Sequence, residues 1–93
     1  MKATKEIFDK LLPGDYVVMK TLGQLIDTGV VGIEEEYHYI IEDAKPYLGK
    51  MFPVEEVHVI NDKTYVSLKY DEEGYLFELE MFSELYPLNR GYY

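Results

Sequence analysis

The sequence predicts a mainly β domain, a small antiparallel barrel with a short N-terminal helix and a C-terminal 3-10 turn. Three observations carry that prediction. Residues 47–82, YLGKMFPVEEVHVINDKTYVSLKYDEEGYLFELEMF, hold three alternating apolar/polar runs separated by two turn-like clusters, the pattern of an antiparallel meander. Residues 4–12 place Ile7, Phe8, Leu11 and Leu12 on one stripe at helical spacing. Gly23, Gly29 and Gly32 punctuate the stretch between, and glycines inside strand patterns mark bulges and sharp bends.

The elements follow in order. Thr4 is placed to cap the N-terminal helix, and Pro13-Gly14 ends it. Gly14-Asp15 launches a strand, YVVMKTL, with Val17 and Met19 on one face and Tyr16 and Val18 on the other. Residues 22–36 read as a glycine-bent strand pair or a long loop. Residues 37–42, YHYIIE, are strand-like, and Pro46 makes residues 43–47 a turn or one helical turn. Val54, Val57, Val59 and Ile60 dominate the next strand, with a bulge expected at Glu55-Glu56. After a turn at residues 61–63, Val66, Leu68 and Tyr70 share one face of the following strand, and Tyr65, Ser67 and Lys69 the other. Residues 71–74 form a turn with Gly74 at positive φ. Tyr75, Phe77 and Leu79 then alternate with Leu76, Glu78 and Glu80 in a last strand. Residues 81–85 read as a helical or 3-10 turn stopped by Tyr86-Pro87, and the end of the chain as frayed.

Ninety-three residues have room for one core. That makes a single domain over 1–93, with the helix in 1–13, the barrel in 14–86 and a tail in 87–93. A small barrel hides its strand edges by closing, and strands of this number and length suit an SH3-like one. Cysteine is absent, which excludes disulfides and thiolate metal sites and fits a reducing cytoplasm. No apolar run approaches the length of a membrane span. Lys5, Glu6, Asp9 and Lys10 interrupt what would be the apolar region of a signal peptide. The net charge of −9 opposes direct binding to nucleic-acid phosphates or anionic membranes. It favours a protein partner with a basic surface, although acidity also serves simply to keep a small domain in solution. Nine acids fall in residues 1–46 and nine in 47–93, so the acidity belongs to the body of the domain and not to a tail.

The arrangement Gly14-Asp15-Tyr16-Val17, Tyr47-Leu48-Gly49-Lys50, Val54 and Val57, Tyr75-Leu76-Phe77 and Glu80-Met81-Phe82 resembles a loose group of small SH3-like proteins of phages and prophages, mostly without an assigned activity. The resemblance covers about two-thirds of the chain by pattern and departs from it in residues 16–36. It implies a fold and supplies no catalytic residues.

The candidate chemistry is sparse. Asp27-Thr28-Gly29, preceded by Leu25-Ile26, is similar to the signature of retroviral-type aspartic proteases, chains that dimerise so that two Asp carboxylates share a proton. Val30-Val31 follow where that family has a small residue, and Asp-Thr-Gly is also ordinary turn chemistry. His38 and His58 lie at no diagnostic spacing from Glu34, Glu36, Glu56 or Asp62 and read as strand residues rather than metal ligands. Nothing resembles a P-loop, a dinucleotide fingerprint or a Ser-His-Asp set. No cofactor is expected. Tyrosine is the unusual residue, ten of 93 with no Trp, and it gives large contact area at low entropic cost. Glu78 and Glu80, on one face of a strand, would stand about 7 Å apart, close to the phosphate repeat of a nucleic-acid strand. The leading expectation is therefore a non-enzymatic acidic interaction module, in one form an inhibitor occupying a nucleic-acid groove. Its contact residues are Tyr37, Tyr39, Tyr65, Glu78 and Glu80. The alternatives are the dimeric protease and a structural or assembly component.

Overall fold

A computed structural model describes residues 2–28 and 45–88. Four antiparallel strands form one open sheet in the order β3-β2-β1-β4, with β1 at Tyr16–Met19, β2 at Met51–Ile60, β3 at Lys63–Leu68 and β4 at Phe82–Tyr86. Among the described residues there are also two short helices, α1 (Lys5–Phe8) and α2 (Leu22–Asp27), and two 3-10 turns, Lys45–Tyr47 and Leu79–Met81. None of the described helices is long and apolar enough to cross a membrane.

The N-terminal half begins as the helical stripe requires. The Ile7 N–H donates to Thr4 Oγ1, capping α1. Phe8 and Leu11 are buried, while Leu12 is exposed. Val17 and Met19 of β1 face the core, and Tyr16 faces solvent. Next comes an element the sequence reading missed. Residues 22–27 are helical, not a glycine-bent strand pair. Thr21 and Gln24 form a reciprocal capping box: the Gln24 N–H donates to Thr21 Oγ1 (3.2 Å) and the Thr21 N–H to Gln24 Oε1 (2.8 Å). The buried Leu25 anchors this helix to the core.

β2 is the spine of the sheet. Its first residues pair with β1, Val17 opposite Phe52, and its second half with β3, Val57 opposite Val66. The register shifts between Val54 and Glu56, the expected bulge, which bends and twists the strand between its two partners. Asn61 and Asp62 carry φ of 51° and 65°, the pair of positive values that a two-residue hairpin of type I′ needs.

The C-terminal quarter departs from the reading in three places. Tyr70 is not on the core face with Val66 and Leu68. β3 ends at Leu68, and Tyr70 takes φ 74° in a turn that swings its ring into solvent. Residues 75–80 are not a strand, since only Phe77 bridges antiparallel to Val66. Residues 82–86 are not a helical turn but β4, paired along β1. Phe82 and Leu85 are both buried although three positions apart, a spacing that reads as helical. A register shift opposite Val18/Met19 resolves it, because Ser83 is the extra residue that lets both side chains face inward from a strand.

The core gathers Phe8, Leu11, Val17, Met19, Leu25, Val54, Val66, Leu68, Phe77, Met81, Phe82 and Leu85. A file of rings crosses it, Phe8 to Phe82 (5.8 Å between centroids), Phe82 to Phe77 (6.4 Å), Phe77 to Tyr47 (5.9 Å) and Tyr47 to Phe52 (5.6 Å). These lie in the range where tilted and edge-on aromatic pairs attract.

Candidate functional site

The β2–β3 hairpin presents the candidate surface. Val57 and Val66 point inward, so their neighbours point outward. Cross-strand pairing sets His58 opposite Tyr65 and Ile60 opposite Lys63 on the outer face, with Glu56 opposite the buried Ser67. The Val66–Phe77 bridge lays the next segment alongside β3. Because Phe77 is buried, Glu78 emerges on the side of Tyr65.

Lys63 joins the two. Its ammonium lies 2.7 Å from Glu78 Oε2 and 5.9 Å from the centre of the Tyr65 ring. Beside Glu78, its proton is held more tightly than an ordinary lysine's. Glu78 opens the 3-10 turn Leu79–Met81, and Glu80 lies within it, so the two carboxyls come together rather than standing a strand repeat apart. A hydrogen bond from the protonated Glu80 carboxyl to the Glu78 carboxylate raises the Glu80 pKa and lowers that of Glu78, and the Lys63 ammonium lowers Glu78 further. The patch is a pair of neighbouring carboxyls next to an aromatic face and already holding a cation.

No family model, curated protein or solved structure matches this chain.

Of the five residues picked from the sequence, Tyr65, Glu78 and Glu80 fall on this one surface. Tyr37 and Tyr39 lie outside the described residues, as do Glu34, Glu36 and His38. His58 sits beside Tyr65, with its Nε2 3.4 Å from Glu56. Among the described residues no three His, Asp or Glu side chains converge as a metal site would require. Asp27 is the exposed last residue of α2, and the Thr28 hydroxyl donates to the carbonyls of Gln24 (3.0 Å) and Leu25 (3.1 Å). Thr28 thus closes a helix.

Lys63 is the residue that sequence reasoning passed over. Its signal was its place, the first position after the turn and therefore on the same face as Tyr65. The run Asp71-Glu72-Glu73 also divides in the structure. Asp71 is buried and accepts from the Tyr47 hydroxyl (2.5 Å), the Glu73 N–H and the Tyr75 N–H (both 3.0 Å), while Glu72 and Glu73 are exposed.

Proposed function

We propose that this protein is a non-enzymatic, acidic protein-interaction module that binds a basic surface of a partner protein. One observation carries the proposal: the outer face of the hairpin already holds an ammonium, that of Lys63, between the Glu78 carboxylate and the Tyr65 ring. Carboxylates beside an aromatic face are the groups that pair with Lys and Arg side chains. The net charge of −9 adds long-range attraction toward such a partner. An inhibitor that covers a nucleic-acid-binding groove in the cytoplasm is the specific form of this reading. The merged carboxyls of Glu78 and Glu80 favour contact with one cation over imitation of two successive phosphates.

The fold in this reading is an SH3-like barrel. The order β4-β1-β2-β3 continues through the Phe77 bridge to a fifth segment, β2 bends at its bulge to serve both halves, and a 3-10 turn precedes the last strand. These features also support the resemblance to small phage-type barrels.

The test is binding to a basic nucleic-acid-binding protein across a salt series, with DNA as competitor. Affinity falls with salt and with competing DNA, and it falls again in a Glu78→Gln/Glu80→Gln variant. Binding that ignores salt, or survives both substitutions unchanged, rejects the proposal.

A further inference from the structure

A second aromatic lies at the far end of β3 from the Lys63 face, and its backbone is strained. Tyr70 has φ 74°, a left-handed conformation that is strained for a bulky side chain. The strain is not repaid by burial. Tyr70 is 78% exposed, more than any other large apolar side chain among the described residues. The surroundings impose the conformation. The Lys69 N–H donates to the Pro53 carbonyl (2.9 Å), the Asp71 N–H to the Leu68 carbonyl (3.3 Å), and the buried Asp71 carboxylate gathers the amides that follow. An ordinary turn here would place Gly or Asn at the left-handed position.

The ring also has a cation beside it. Lys69 Nζ stands 5.7 Å from its centre, within the range of cation–π attraction. The exposed Glu72 and Glu73 follow directly.

We propose that Tyr70 is a second docking point for the basic partner, with its ring stacking against an arginine guanidinium. A guanidinium is planar and more weakly hydrated than an ammonium, so it displaces Lys69 from the ring face more readily than a partner lysine does. Glu72 and Glu73, exposed and only two and three residues further on, add negative charge near the same turn. The inference rests on the acidic-module reading and adds to it a preferred side chain and a second contact.

Labelled oligo-arginine and oligo-lysine peptides of equal length are the probes, read by fluorescence anisotropy at low salt. The wild type binds oligo-arginine more tightly. Tyr70→Gly weakens oligo-arginine binding roughly 5- to 10-fold and erases the preference over oligo-lysine. Its thermal midpoint stays level or rises, because glycine adopts positive φ without strain. Tyr70→Leu, which keeps the bulk and loses the π face, weakens binding as Gly does. Unchanged oligo-arginine affinity in Tyr70→Gly overturns the role of Tyr70 and leaves the module reading standing. A wild type that binds neither peptide overturns both.

Discussion

The Tyr47 hydroxyl donates to the buried Asp71 carboxylate across 2.5 Å, joining the 3-10 turn before β2 to the turn after β3. Tyr47→Phe keeps the edge-on ring contacts with Phe52 and Phe77 and leaves Asp71 its two backbone donors. The variant should lose about 1.5–3 kcal/mol in urea unfolding, the value of one hydrogen bond to a charged group. The bond to Asp71, followed by burial, raises the Tyr47 pKa from 10.0 to about 12. A group whose pKa is raised by folding stabilises fully below its unfolded value and loses that contribution as pH climbs through the folded one. Wild-type stability should therefore fall between pH 10 and about 12 more steeply than that of Tyr47→Phe. Parallel pH profiles would contradict this.

Asp15 closes the other end of the domain. It is 2% exposed, and its carboxylate accepts from the Leu12 N–H (2.8 Å) and the Leu88 N–H (3.0 Å). One side chain thus fastens the exit of α1 to the segment after β4. Asp15→Ala leaves both amides without this acceptor and should cost about 2–4 kcal/mol. Hydrogen exchange locates the effect, since the Leu12 and Leu88 amides should lose protection together. Loss at only one of them would show that the clasp does not act as a unit.

What could be read from the sequence depended on whether a pattern was local. Val57, Val66 and Leu68 alternate within their own strands, so the hairpin, its bulge and its turn were legible. β4 was not, because the three-residue spacing of Phe82 and Leu85 has the helical period until pairing with β1 accommodates Ser83. Tyr70 continued the alternation of β3 on paper. Its departure depends on Asp71, whose ligands include Tyr47 at a distance of 24 residues. The candidate surface was partly visible for the same reason. Tyr65, Glu78 and Glu80 stood out by type, but the ammonium that joins them comes from a residue chosen by the turn.

The capping box of α2 was a local signal that the nearby glycines obscured. Thr21→Ala removes the acceptor for the Gln24 N–H and should lower stability by about 1 kcal/mol. Because Gln24 returns a bond to the Thr21 N–H, Thr21→Ala and Gln24→Ala should be non-additive in thermal unfolding. Two independent, fully additive losses would mean that the two bonds do not form one motif.

The carboxyl pair makes a sharper electrostatic prediction. In a carboxyl-resolved NMR titration, Glu80 should titrate above the ordinary glutamate value of 4.5 and Glu78 below it. Glu80→Gln keeps an N–H donor toward Glu78, so Glu78 should remain low. Glu80→Ala removes the donor, and Glu78 should move up toward its ordinary value, held down only by Lys63. Lys63→Met in that background should complete the return. The signs also set the effect on stability. The depressed Glu78 stabilises the fold above the unfolded value of 4.5 and loses that contribution as pH falls, whereas the raised Glu80 favours the folded state at acidic pH. The two contributions oppose each other and each depends on the partner, so Glu80→Ala should leave only the part of the Glu78 contribution that Lys63 sustains, and Glu78→Ala should remove the Glu78 contribution together with most of the Glu80 one. If Glu78 titrates alike in Glu80→Gln and Glu80→Ala, the two carboxyls do not share a proton, and Lys63 alone sets the charge of this face.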